Sequence, residues 1–242
     1  MRISVIIPTY NEKKNIEILI PKIERLLQNR FKNDFEIVVV DDNSPDGTAN
    51  SVIKLNKKYG NARVIVRKGR KGIGNALKEG YNNAKGDLII STDADLSFDA
   101  EDMLRLVQKI EEGHDLVVGS RHIYKNYYEK PDFQTKIKGF ASKYGNIMVR
   151  VLSGVDIRDF SANFRIIKKS IWNRLKISDN TNSMLLEMIL KSRYKGYKIA
   201  EIPVKFKDRL YGKSKLNLVK EAPKFLIKLI FYVFKYRILR LN

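Results

Sequence analysis

The chain has 242 residues, 43% apolar and 31% charged, with 47 Lys and Arg against 27 Asp and Glu, a formal net charge of +20 at pH 7. That is enough apolar material for one large α/β core or two small ones. With no Cys and only two His, His114 and His122, a disulfide scaffold, thiol catalysis and a Cys- or His-rich zinc site are excluded, and a Ser-His-Asp triad would depend on one of those two positions.

The charge is unevenly placed. Residues 1–120 hold 19 Lys and Arg against 18 Asp and Glu, and residues 121–242 hold 28 against 9. A half with net +19 calls for an anionic partner: nucleic acid, an anionic membrane surface or a phosphorylated substrate.

The chain opens on a strand at about 2–7 that lacks the length and cleavage site of a signal peptide. Further apolar strands are expected at about 35–40, 63–66, 87–92 and 115–119. Between them lie helical patterns, first Ile16, Leu19, Ile20, Ile23, Leu26 and Leu27, then segments beginning near Thr48, Ile73 and Ala100. Strand and helix alternating about every 30 residues means βαβ units and a mostly parallel sheet, whose ligands sit at the carboxyl ends of the strands.

The polar motifs fall at those ends. Pro8-Thr9-Tyr10-Asn11-Glu12 follows the first strand, with Asn11 as the expected N-cap of the next helix. After the second strand comes Asp41-Asp42-Asn43-Ser44-Pro45-Asp46-Gly47-Thr48. Its Ser-Pro-Asp-Gly part is turn chemistry, while Asp41 could accept from a nucleobase N–H. Lys68-Gly69-Arg70-Lys71-Gly72-Ile73-Gly74 departs from G-x-G-x-x-G, because Leu77 stands where the third Gly belongs and because it follows the third strand. A basic, Gly-rich loop before a helix still suits a diphosphate. The fourth strand ends in Asp93-Ala94-Asp95. In an extended segment residues i and i+2 point to the same side, and two converging carboxylates suit a hard divalent cation that also takes phosphate oxygens. With 15 Asp in 242 residues, about one Asp-x-Asp is expected by chance, so its position decides its meaning. Asp99 reads as the cap of the following helix. Gly119-Ser120-Arg121 ends the fifth strand, where Arg121 is placed for a phosphate.

The second half is less regular. Phe133, Ile137, Phe140, Tyr144, Ile147 and Val151 recur at helical spacing, with Lys136, Lys143 and Arg150 every seven residues, so an amphipathic helix with a basic stripe is expected over about 133–152. Near the end, Lys224, Lys228 and Lys235 share one side of a helix whose other faces carry Phe225, Leu226, Leu229, Ile230, Tyr232, Val233 and Phe234. Two such helices can lie in a membrane interface, or pack their apolar faces on the core. The most apolar stretch, Phe225 to Leu241, is broken by Lys228, Lys235, Arg237 and Arg240, so no transmembrane segment is expected.

Taken together, these motifs resemble the family-2 inverting glycosyltransferases, and within them the dolichol-phosphate mannose synthase and polyprenyl-phosphate glycosyltransferase branch. The resemblance runs over nearly the whole chain. It implies a GT-A fold, an α/β architecture with a Rossmann-like, mostly parallel sheet. The expected organisation is a catalytic domain over 1–215, with a nucleotide-sugar half at 1–120 and an acceptor half at 121–215, followed by a basic amphipathic interface helix over 216–242. By resemblance, Pro8, Tyr10, Glu12, Val39, Asp41, Asp93 and Ala94 line the donor nucleotide. Asp93, Asp95 and, as a weaker ligand, Ser97 hold Mg2+ or Mn2+. Arg121, Arg209 and Lys215 grip the acceptor phosphate, and Asp95 and Arg121 are the catalytic pair. Asp159-Phe160-Ser161-Ala162-Asn163-Phe164-Arg165 departs from the usual Asp-x-x-Ser-Gly-Phe-Arg, with Ala162 and Asn163 replacing Ser and Gly.

The implied reaction moves a hexose, mannose first and glucose next, from GDP-mannose or a UDP-hexose to a polyprenyl or dolichyl phosphate, at the cytoplasmic face of a membrane and without a nucleic-acid partner. An acceptor phosphate is already an oxyanion at neutral pH and needs no general base. The first alternative is a hydroxyl acceptor, which would need a base, and Asp159 is the candidate. The second is a non-enzymatic basic module binding nucleic acid or membrane, which would leave the acidic strand-end constellation unused.

Overall fold

The computed structural model describes residues 1–69, 72–123, 128–129, 133–212 and 218–239. In the first half strands and helices alternate as β1 (Ile3–Thr9), α1 (Lys13–Phe31), β2 (Phe35–Asp41), α2 (Thr48–Tyr59), β3 (Ala62–Val66), α3 (Ile73–Asn83), β4 (Leu88–Ser91), α4 (Asp102–Glu111) and β5 (Leu116–Ser120). The second half adds β6 (Tyr128–Glu129), α5 (Phe133–Ser153), β7 (Arg165–Lys168), α6 (Lys169–Leu175), α7 (Met184–Tyr194), β8 (Ile199–Pro203), β9 (Phe206–Lys207) and α8 (Leu218–Tyr232), which continues into a π-helical turn over Val233–Ile238.

Seven strands form one sheet in the order β3-β2-β1-β4-β7-β5-β8. All neighbours are parallel except β7, which runs antiparallel to both β4 and β5. Strands β1, β2 and β4 are buried at every position. This is why they read in the sequence as unbroken apolar runs rather than alternations. The register sets Thr9 beside Asp41 and Ile6 beside Ser91, so the segments after β1, β2 and β4 emerge at one edge. Because β7 is reversed, its first residue, Arg165, pairs with Ser91 and Val118. The segment leading into β7 therefore reaches the same edge as the segments leaving its neighbours.

Local details differ from expectation. Asn11 is not the cap of α1; it sits at φ 57, and Glu12 precedes the helix without a side-chain cap bond. The first free N–H groups are served across the sheet edge instead. Ser44 Oγ accepts from Asn11 N–H (2.8 Å), Thr48 Oγ1 from Glu12 N–H (3.1 Å) and Asp46 Oδ2 from Lys13 N–H (3.0 Å). Helix α4 begins at Asp102, later than expected, because Asp99 closes a turn by accepting from Glu101 N–H at 3.2 Å. Gly74 is required for packing: a Cβ there would lie 2.1 Å from the carbonyl oxygen of Thr181.

From Tyr144 on, α5 turns its periodic stripe outward; Phe133, Lys136, Ile137 and Phe140 lie outside the residues whose side chains are described. Asn146, Val149 and Ser153 face the core, while Tyr144, Ile147 and Val151, the last 72% exposed, are directed to the opposite side. In α8, Leu229 and Tyr232 are buried, as is Tyr236 in the π-helical turn, yet Ile227, Ile230, Phe231 and Phe234 are exposed. The inner face is bolted by polar contacts. Tyr232 donates to Asp179 Oδ2, Lys228 Nζ pairs with the same oxygen at 3.2 Å, and Tyr236 donates to Glu187 Oε1 at 2.9 Å. So α8 is docked on one side and apolar on the other. Among the described residues no helix is long and apolar enough to cross a membrane.

Candidate active site

Strand β4 stops at Ser91, and Asp93-Ala94-Asp95 lies in the turn beyond it rather than in extended chain. Leu96 takes φ 64, which folds the segment back so that Ser97 N–H donates to Asp95 Oδ1 at 3.1 Å. The two carboxylates converge through this turn. Asn163 Nδ2 donates to Asp93 Oδ1 at 3.0 Å, and Arg209 Nη2 pairs with Asp95 Oδ2 at 3.1 Å. Leu210 N–H also donates to the Asp95 carbonyl at 3.3 Å, tying the Arg209 segment to the turn. Burial, and then the charge of Asp95, push the Asp93 carboxyl up to about 6.

A divalent cation fits this set. Two carboxylates repelling each other would be relieved by it, and they leave coordination positions for phosphate oxygens. Among the described residues no group of three or more His, Cys, Asp or Glu could hold a metal. Two carboxylates are thus the side-chain set that the described residues offer at this turn. Ser97 is nearly fully buried, and its carbonyl accepts from Lys207 N–H at 2.9 Å, so it links the turn to β9.

Arg121, directly after β5, is held by Asp159. Its backbone N–H, Nε and Nη2 donate to that carboxylate at 3.1, 2.7 and 2.9 Å, Nη2 also donates to Ser161 Oγ at 2.9 Å, and the guanidinium lies 5.3 Å from the Phe206 ring centroid. Burial works against charge on Asp159, but the Arg121 charge and hydrogen bonds overcome it and hold the carboxyl at about 2. Arg165 shapes the same segment from within. Fully buried, it donates to the carbonyls of Phe160, Ala162 and Leu185, and burial lowers its pKa to about 10.

At the ends of β1 and β2, Tyr10 and Glu12 are partly exposed at the edge, whereas Pro8 and Val39 lie buried beneath it. Glu12 Oε2 accepts from Asn15 Nδ2 at 2.6 Å, and the same amide reaches the Tyr211 carbonyl at 3.3 Å. Ala94 is 5% exposed, between the two carboxylates. Asp41 is fully buried, and its carboxylate accepts from Thr9 Oγ1 (2.8 Å), Ser44 N–H (2.8 Å) and Ser44 Oγ (2.6 Å). These are turn-building bonds, which the sequence reading gave to Ser44–Thr48 alone; the Asp-x-x-Ser spacing was the available signal. Asp42 accepts from Arg67 Nη1 (2.7 Å) and Gly72 N–H (3.0 Å), so the Gly-rich loop is tied to β2. Arg70, Lys71 and Lys215 lie outside the described residues. The site thus gathers Asp93, Asp95, Arg121 and Arg209. It also contains Asn163, which the sequence analysis noted only as a departure from a pattern.

Residues 4–175 match the family model described as Glycosyl transferase family 2. Over 219 residues the chain is 36% identical to the dolichol-phosphate mannosyltransferase of Pyrococcus furiosus, covering 90% of this chain and 60% of that protein. It is 27% identical to glycosyltransferase AglD of Haloferax volcanii, of which it spans 35%. With the polyprenol monophosphomannose synthase of Mycolicibacterium smegmatis it shares 27% identity, over 89% of this chain and 81% of the other. Among solved structures, glucosyl-3-phosphoglycerate synthase of Mycobacterium tuberculosis, in complex with Mn2+, UDP and phosphoglyceric acid, superposes with a TM-score of 0.71 at 19% identity, covering 96% of this chain and 77% of that one. The shared architecture is the GT-A-like fold, a mostly parallel seven-stranded sheet flanked by helices.

Proposed function

We propose that this chain, which belongs to glycosyl transferase family 2 and is therefore a glycosyltransferase, transfers a hexose with inversion from a nucleoside-diphosphate sugar to a polyprenyl phosphate. Mannose and a dolichyl-type acceptor are favoured by the relatives named dolichol-phosphate mannosyltransferase and polyprenol monophosphomannose synthase. The observation that carries the reading is the meeting of Asp93 and Asp95 with Arg121 and Arg209 at one sheet edge. Carboxylates for the donor and guanidiniums for the acceptor are what two anionic substrates need.

Asp93 and Asp95 would hold Mg2+ or Mn2+, which offsets the charge developing on the departing diphosphate; solved structures of the same fold contain Mn2+ or Mg2+ with UDP. Tyr10 and Glu12 border the nucleotide. Arg121 and Arg209, with Lys215, bind and orient the acceptor phosphate, whose own oxygen attacks the anomeric carbon. The state of Asp159 supports this over a hydroxyl acceptor. A carboxyl held at about 2 and saturated by Arg121, Ser161 and Ala162 is a poor general base. The outward apolar rows of α5 and α8, flanked by Lys143, Arg150 and Lys224, suit an anionic lipid surface, where such an acceptor is found. We place this on the cytoplasmic face, in keeping with the absence of Cys. Membership of the family removes the non-enzymatic module from consideration.

The test is a panel of GDP-mannose, UDP-glucose, UDP-galactose and UDP-N-acetylglucosamine, each with polyprenyl phosphate and Mg2+ or Mn2+. A lipid-linked phosphosugar is expected, from GDP-mannose first. No such product from any donor would overturn the reading.

A further inference from the structure

Asn163 lies in the chain entering β7 and contacts Asp93, whereas Arg209 contacts Asp95. It is 3% exposed. Its backbone is fixed independently, because Ser91 Oγ donates to the Asn163 carbonyl at 2.7 Å while Arg165 clasps the carbonyls of Phe160 and Ala162. The side-chain amide is thus set from below, and Nδ2 donates to Asp93 Oδ1 at 3.0 Å. The other half of the amide is anomalous. Oδ1 is buried and has no hydrogen-bond partner among the described residues. An unsatisfied buried acceptor is costly and calls for an explanation. A side-chain carbonyl oxygen is also a good donor to a hard divalent cation or to its bound water.

We propose that Asn163 is a positioning residue of the cation site: its Nδ2 fixes which oxygen of Asp93 is free for the ion, and its Oδ1 completes the oxygen set toward the ion's hydration shell. This rests on the reading of Asp93 and Asp95 as the cation-holding carboxylates. Partners that orient metal ligands typically contribute 10- to 100-fold in metal affinity, so removing this amide should weaken the cation without touching the nucleotide's base and ribose.

The experiment is calorimetric titration of the full chain with GDP and with UDP, each with and without Mn2+. Its readout is the gain in nucleotide affinity that Mn2+ confers. Wild type should show a clear gain and Asp95→Asn none. Asn163→Ala should lose about tenfold or more of the gain while binding metal-free nucleotide as wild type does. Asn163→Gly is read the same way and serves if the Ala variant does not fold. A gain in both variants within about threefold of wild type, or a parallel loss of metal-free nucleotide binding, overturns the role given to Asn163 and leaves the carboxylate reading standing. Absence of any Mn2+ gain in wild type overturns both.

Discussion

Arg209 stands 3.1 Å from Asp95, so a cation assigned to the acceptor rests directly on a carboxylate assigned to the donor's metal. The two substrates' half-sites therefore share an ion pair. Removing the guanidinium takes away a positive charge that competes with a divalent ion for Asp95. Arg209→Ala should bind Mn2+ with nucleotide at least as tightly as wild type, while transfer falls on the order of 10²-fold through lost grip on the phosphate. Calorimetry and product formation measured side by side check this; weaker Mn2+ binding in the variant would refute it.

Asp95→Asn keeps the shape of the turn and removes the charge that the cation needs. Transfer should drop by about 10³-fold, corresponding to several kcal/mol of charge stabilisation, and the remaining rate should no longer respond to added Mn2+ or Mg2+. A variant that still responds to metal would place the cation elsewhere.

Asp93 ties the site to pH. Its folded pKa near 6 stands above the ordinary 3.8, so the metal-free folded chain holds a proton there that the unfolded chain releases. The group's contribution to stability is fully present below about 4 and is lost as pH rises to about 6. Cation binding runs the other way, weakening about tenfold per pH unit below 6, because the ion must displace that proton. Melting temperature against pH, with and without Mn2+, reads both; Asp93→Asn should flatten both slopes.

Asp159 has the opposite sign. Held at about 2 against an ordinary 3.8, it contributes stability above 3.8 that disappears as pH falls through 2. Arg121→Ala leaves this carboxylate buried and unpaired, and should cost about 3–5 kcal/mol at pH 7. The gap to wild type should narrow below pH 4. Urea unfolding at pH 7 and pH 3 measures it, and a variant within 1 kcal/mol of wild type at pH 7 would show that the pair is not holding the segment.

The outward rows of α5 and α8 can be tested without disturbing the core. Val151→Asp, Ile227→Asp and Ile230→Asp change exposed positions, so each should alter stability by no more than about 0.5 kcal/mol. Together they should reduce co-sedimentation with anionic vesicles more than tenfold. Undiminished binding would mean that these faces serve another purpose.

The first five strands were legible to within a residue or two because buried parallel strands are written as short apolar runs between turn signals. Strand β7 was not, since Arg165-Ile166-Ile167-Lys168 is four residues with charge at both ends, and nothing local says that it inserts between β4 and β5. The acidic turn and Arg121 could be singled out by position, and Arg209 only by family resemblance. What could not be found were their partners. Asn163 lies 70 residues from Asp93, and Asp159 lies 38 from Arg121; such pairings exist only once the sheet order is fixed. The bonds from Ser44 to Asp41 were a different case, because that turn is local and the Asp-x-x-Ser spacing was in view.

The reversed strand also constrains how the chain can be cut and how it reaches its fold. Strand β5 has no sheet partner within the first 120 residues; its neighbours are β7 and β8. A fragment ending at Ser120 would leave one side of β4 unpaired and β5 without a sheet, an open edge that invites association between copies. Synthesis from the N-terminus must therefore wait for residues 165–203 before β5 can join the sheet. Slow, late consolidation is the expected cost of weaving the second half through the first.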